Sequence, residues 1–125
     1  MSNSTKKLED FEIYQIAMNI GEDVWNIVMQ WDSFAKSTLG NQLVRSADSI
    51  AANIAEGYGR FHFKERRQFT LYSRGSLLET KCWITKANNR KLTTQEQHDV
   101  ILELLKNLHF KINIYLKKLN EEVNK

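Results

Sequence analysis

The chain has 125 residues, 42% of them hydrophobic and 26% charged, with no proline, one cysteine and a net charge of +3. This length suits one domain with a real core, and the composition is globular rather than disordered. Cys82 alone excludes an intramolecular disulfide, the start MSNSTKKLED carries no secretion signal, and no run nears the eighteen or so apolar residues of a membrane span. The expectation is a cytoplasmic protein without membrane association.

Periodicity cuts the chain into four helices within a single domain spanning 1–125, with residues 1–7 and 121–125 expected to fray. In the first, Phe11, Tyr14, Ala17, Met18, Gly21, Val24, Trp25, Val28 and Trp31 recur every three or four residues. They form one apolar stripe of a helix from about residue 8 to 31. Asp32-Ser33 supplies turn or cap chemistry and Ser37 offers a second start, so helix two begins between 33 and 38. Its apolar face is Leu39, Leu43, Ala47, Ile50 and Ile54, and Gly57 just past its end is expected to close the last turn at positive φ. Helix three should start near Phe63, with Phe69, Tyr72, Ser76, Trp83 and Ala87 facing inward, and stop at Asn88-Asn89-Arg90-Lys91. Thr94 and Gln97 then resemble a capping box, and Ile101, Leu105, Leu108, Ile112, Tyr115 and Leu119 make the heptad seam of helix four.

Four such helices with short connections predict an all-α, antiparallel up-down-up-down four-helix bundle. Ile13, Ile27, Leu104 and Ile114 widen the stripes of helices one and four. Width of that kind reads either as a broad core or as a second buried face for self-association.

Polar residues in helix two follow the same spacing: Gln42, Arg45, Ser49, Asn53 and Glu56 form a stripe about 100° from the apolar one. Arg74, Gly75, Ser76, Glu79 and Thr80 make a second polar group in helix three. Arg, Asn and Ser beside a core suggest specified hydrogen bonds between these two helices, a structural network of Gln42, Arg45, Ser49, Asn53, Glu56, Arg74, Ser76 and Glu79.

The stretch QLVRSADSIAANIAEGYGRFHFKERRQFTLYSRGSLLET resembles the bacterial four-helix-bundle family encoded within intervening sequences of 23S ribosomal RNA genes, itself similar to accessory proteins of diversity-generating retroelements. The pattern lies in Gln42-Leu43, Arg45, Ala47, Ser49-Ile50, Asn53-Ile54-Ala55-Glu56-Gly57, Gly59-Arg60, Phe69, Gly75-Ser76 and Glu79-Thr80. Ala51 replaces a frequent proline, His62 a frequent serine, and Arg66 a frequent hydrophobic residue. The resemblance implies a homopentamer and a positively charged surface proposed to contact nucleic acid, and it implies no known catalytic activity.

The charge is unevenly placed. Residues 60–91 hold nine basic side chains against Glu65 and Glu79, so this segment is +7 and the remainder −4. Asymmetry of this kind points to a polyanionic partner. Arg60, Arg67, Arg74 and Lys81 recur every seven residues, which on a helix makes a ridge about 30 Å long suited to tracking phosphates. Candidate nucleic-acid contacts are Arg60, Lys64, Arg66, Arg67, Lys81, Arg90 and Lys91, whereas Arg74 is expected to pair with Glu56 or Glu79 inside the bundle. Tyr58, Phe61 and Phe63 interleave with the cations and offer either stacking faces for unpaired bases or, for Phe61 and Phe63, anchors for the entry to helix three.

Glu56 and Glu79 beside arginines stay ionised, so buried ion pairing is expected of them rather than acid–base catalysis. His98 and His109 fall about 16 Å apart on helix four, too far to share a metal. Cys82 lacks a His or Cys partner and reads as an inert core thiol. No catalytic constellation, metal site or cofactor motif emerges. The reading is a non-catalytic oligomeric adaptor that binds nucleic acid, RNA before DNA, through helix three. A module docking an acidic protein, such as a nucleic-acid enzyme, is the alternative. In either case Gly57 and Gly59 form the turn that places Arg60 at the end of the bundle.

Overall fold

The computed structural model describes residues 7–125, which contain no strand. A 3₁₀ turn at Leu8–Asp10 leads into α1 (Glu12–Val28), followed by α2 (Asn41–Tyr58), α3 (Phe63–Asn89) and α4 (Gln95–Val123). The four pack as a bundle in which α1 meets α2 and α4, and α3 meets α2 and α4. Partner residues run in opposite chain directions at the α2–α3 and α3–α4 seams. Ser46 meets Thr80 while Ile50 meets Ser73, and Arg74 meets Asn113 while Arg67 meets Asn120.

Helix α1 is shorter than its stripe suggests. Its core face is Ile13, Ala17, Ile20, Gly21, Val24 and Val28, whereas Met18 and Trp25, expected inside, are 42% and 49% exposed. Trp31 remains buried although it lies in the turn beyond the helix. The ambiguous start of helix two has a physical cause. Asp32 Oδ1 accepts from the Ala35 N–H at 3.0 Å and caps a first turn, Ser33–Ala35. A wide π turn, Lys36–Gly40, then joins it to α2. Ser37 and Thr38 are not caps there, since both hydroxyls donate to the Phe34 carbonyl, at 3.1 and 2.7 Å. A Cβ on Gly40 would sit 2.7 Å from Val28 Cγ1, so this turn lies hard against α1.

The apolar face expected for helix two is buried throughout: Leu39, Leu43, Ala47, Ile50 and Ile54. On α3 the expected face is about one residue out of phase. The buried face is Thr70, Ser73, Leu77, Thr80, Ile84 and Ala87, while Phe69 and Trp83 are half-buried and Tyr72 is exposed. Small side chains let α2 and α3 approach closely, and their hydroxyls are satisfied at the seam. Ser73 Oγ donates to the Ile50 carbonyl at 2.8 Å, and the Thr80 and Ser46 hydroxyls meet at 2.9 Å.

The end of α3 is a Schellman turn built without glycine. Leu92 N–H reaches the Ala87 carbonyl at 2.9 Å, Lys91 N–H reaches that of Asn88, and Lys91 itself stands at φ 60°. Thr94 and Gln97 form the expected capping box, each side chain bonded at 3.0 Å to the other's backbone N–H. Helix α4 buries Ile101, Leu105, Leu108, Ile112, Leu116 and Leu119, leaving Tyr115 half-buried. It continues through residues 121–123, and Lys111 Nζ ties it to Glu12 Oε1 of α1 at 3.2 Å.

At the α1–α2 seam, Asp48 Oδ1 lies only 2.9 Å from where a Cβ on Gly21 would stand. The residue is largely open, but partial burial of its carboxyl, reinforced by Glu22, raises its pKa above 3.8. The folded state therefore holds this proton more tightly than the unfolded chain. Its contribution to stability is greatest below the unfolded value and is lost as pH rises through the folded one. Asp48→Asn should raise the melting temperature at pH 7 by about 1–2 °C, a small shift because solvent screens the site. Thermal melts of both proteins at neutral pH and at pH 3 check this, since the advantage should vanish in acid.

Candidate nucleic-acid interface

The glycine pair does not act through positive φ. Helix α2 runs through Gly57 to Tyr58, no described glycine has positive φ, and Gly59 caps the helix at φ −79°. What Gly57 supplies is proximity. A Cβ there would lie 3.0 Å from Phe69 Cβ and 3.3 Å from the Arg66 carbonyl. The backbone of α2 thus touches α3 near its start, and the chain reverses in the four residues 59–62.

That reversal orders several of the expected cations. Arg60 Nη2 bonds Glu56 Oε2 at 3.1 Å, one helical turn back, while its guanidinium lies 4.8 Å from the centre of the Phe69 ring. Arg66 Nε donates to the Arg60 carbonyl at 2.6 Å and its guanidinium stands 5.4 Å over Phe63. These two arginines build the turn. Tyr58 packs on Phe11 at 5.2 Å, and Phe11 on Tyr115 at 5.1 Å. Burial raises the Tyr115 phenol above its usual value, against a smaller opposing effect of Arg66.

Further along α3, Arg67 Nη1 donates to Asn120 Oδ1 and Arg74 Nη1 to Asn113 Oδ1, each at 3.0 Å. Both pairs are seven residues apart on their own helix, so the two rows stay in register across the α3–α4 seam. Arg67, Gln68, Arg74, Asn113, Lys117 and Asn120 line a depression of about 490 Å³. Lys81, Lys106, His109, Phe110 and Asn113 line the next one, of about 540 Å³, with Glu103 as its acid. Asn113 belongs to both, which makes one basic groove.

This arrangement changes several expectations. Arg74 turns to α4 instead of pairing with Glu56 or Glu79. The expected α2–α3 network does not link those helices through its named side chains. Gln42 and Arg45 are not drawn into it, Ser49 Oγ donates to the Arg45 carbonyl, Asn53 Nδ2 to the Ser49 carbonyl, and Glu79 accepts from Trp83 Nε1. Ser76 enters only through its carbonyl, which accepts from Thr80. Residues four apart on one helix satisfy each other, so no cross-seam partner is needed. Arg90 and Lys91 cap the far end of α3, a helix about 40 Å long, away from Arg60 and Lys64. Cys82 is exposed rather than in the core. Lys106, Asn113, Lys117 and Asn120 line this groove and were not singled out in the sequence. Their signal was the same seven-residue spacing of 106, 113 and 120 on α4.

Among the described residues no three His, Cys, Asp or Glu side chains gather as metal ligands, and no helix is long and apolar enough to cross a membrane. Among the described residues, fold and groove define a small helical bundle with a basic interhelical face. The chain belongs to the 23S rRNA-intervening sequence protein family, whose model matches residues 9–114. A solved structure similar to it is a protein with unknown function from the S23 ribosomal protein family of Bacteroides thetaiotaomicron VPI-5482, determined at 1.70 Å resolution. The two share 17% identity with a TM-score of 0.76, over 84% of this chain and 98% of that one, a likeness of fold. No curated protein matches the chain.

Proposed function

We propose that the protein is a non-catalytic, oligomeric adaptor that holds nucleic acid, RNA before DNA, along the α3–α4 groove. The observation that carries this reading is the pair of guanidinium–asparagine bonds, Arg67–Asn120 and Arg74–Asn113. Each uses one Arg N–H and leaves the rest of the fork for phosphate oxygens, while the amides hold the charges in line. Lys81, Lys106 and Lys117 extend the row. Titrating the protein against a fluorescent structured RNA and a matched DNA duplex, at low and physiological salt, tests it. Binding that weakens steeply with salt and favours RNA supports the reading, and no binding at low salt defeats it. Phe110, 66% exposed beside Lys106, is the feature that favours an acidic protein as occupant instead. Co-purification of such a partner that survives nuclease would establish that alternative.

The homopentamer implied by the resemblance has a candidate contact face on α3. Gly75 is exposed, and a methyl group placed on its Cα would meet nothing within 4 Å. Tyr72 and Leu78, beside it, are 50% and 48% exposed. An open glycine amid exposed apolar residues suits close approach by a second copy. Leu78→Arg should convert the assembly to single chains by light scattering while leaving the helical content intact. A wild type that is itself a single chain at tens of micromolar removes the assembly.

A further inference from the structure

The turn between α2 and α3 carries a feature that the groove does not use. Phe61 is 86% exposed and Phe63 41% exposed, with the exposed His62 between them. An isolated exposed ring needs no explanation. Here two exposed rings and an imidazole stand in three consecutive residues, within a segment holding Arg60, Lys64, Arg66 and Arg67 against Glu56 and Glu65. Glu56 is already engaged by Arg60.

The geometry keeps the rings available. Phe61 and His62 meet edge to face, with centroids 5.1 Å apart and planes at 89°, so the contact occupies one face of one ring and leaves the other faces open. The segment that bears them is held firmly. Arg60 N–H bonds the Gly57 carbonyl at 3.0 Å, Arg66 Nε bonds the Arg60 carbonyl, and the Arg66 guanidinium stands over Phe63. A braced tip presents its rings at little further entropic cost on binding.

Its position matters as much as its composition. Phe63 precedes Arg67 by four residues, so the two share a face of α3 about one turn apart. The end of the groove at Arg67 and Asn120 therefore lies about one helical turn from the start of α3.

We propose that this tip is a stacking site for unpaired bases: Phe61 and His62 receive one or two bases of a strand whose phosphates lie in the α3–α4 groove. The proposal rests on the nucleic-acid reading and narrows its ligand to single-stranded or looped RNA. A duplex can meet the groove's charges, but its bases are stacked within it and offer no faces to the tip. Rings among cations also suit an anionic lipid surface. The linear row of Arg67, Arg74 and Lys81 along the seam favours the polynucleotide, because it follows a strand's line of phosphates whereas a membrane presents a plane.

The test compares wild type, Phe61→Ala and the double variant Arg67→Gln/Arg74→Gln. Each is titrated with an unstructured single-stranded RNA and an RNA duplex of equal length, and spun with vesicles containing anionic lipid. Wild type should prefer the single strand. Phe61→Ala should weaken single-strand binding roughly 5- to 100-fold and leave duplex binding unchanged. The double variant should weaken both. Phe61→Trp should keep the affinity, and its added indole fluorescence should quench on the single strand. An unchanged Phe61→Ala affinity beside a weakened double variant overturns the stacking tip and leaves the groove reading intact. Absence of binding to either RNA by wild type overturns both, and vesicle binding lost in Phe61→Ala would assign the tip to lipid. Phe61 is so exposed that its replacement should not disturb folding, which circular dichroism checks.

Discussion

Replacing Gly57 with alanine is expected to lower the melting temperature by roughly 4–12 °C, corresponding to about 1–3 kcal/mol. Alanine ordinarily improves a helix interior by up to about 1 kcal/mol over glycine, so the sign of this result is diagnostic. The added methyl would meet Phe69 Cβ at 3.0 Å and the Arg66 carbonyl at 3.3 Å. Neither is the end of a flexible side chain, so α2 and α3 would have to separate. Their separation would also disturb Arg60, whose guanidinium rests on the Phe69 ring, and Arg66, whose side chain bonds the turn. Gly59→Ala supplies the control two residues away. Its nearest contacts are backbone carbonyls at 3.8 and 3.9 Å, and its φ of −79° suits any residue. That variant should melt at or slightly above wild type. If both substitutions were equally harmless, close approach at Gly57 would not be what holds the turn.

The second large effect concerns binding. Arg67→Gln/Arg74→Gln should weaken RNA affinity on the order of tenfold per arginine at low salt, as expected for hydrogen bonds to charged groups. If two phosphate contacts are lost, the slope of log K against log salt should fall by roughly 1.4 on a single strand. Stability should barely change, because each arginine meets only a neutral asparagine at the open edge of the seam. Replacing both arginines with lysine separates charge from geometry. The salt slope should be retained while part of the affinity is lost, since lysine cannot bond the asparagine and a phosphate in one planar fork. An unaltered slope in the glutamine variant would place the phosphates elsewhere.

Much of this architecture was legible because four strongly periodic segments are separated by sparse but readable punctuation. Asp32 and Thr94 act as caps, and Leu43, Ala47, Ile50 and Ile54 face inward, because these features depend on neighbours within one or two helical turns. The basic character of α3 was equally plain, as it needs only counting. Where the reading failed, the information lay across a seam. Hydrophobicity nominated Phe69, Tyr72 and Trp83 for the core, but the closest approach of two helices takes small side chains. Thr70, Ser73 and Thr80 fill it because their hydroxyls find partners there or in the preceding turn.

The same division holds at the site. Sequence by itself determined that this is an all-helical chain with its positive charge concentrated in one helix, since both follow from residue type and spacing. Tertiary structure decided which cations act together. It drew Arg60 and Arg66 into the turn, set Arg67 and Arg74 against Asn120 and Asn113, and left Arg90 and Lys91 at the other end. It also decided that Gly57 is a point of close contact rather than a positive-φ cap. A groove between two helices depends on the register of residues some 40 to 50 positions apart, and helix packing sets that register.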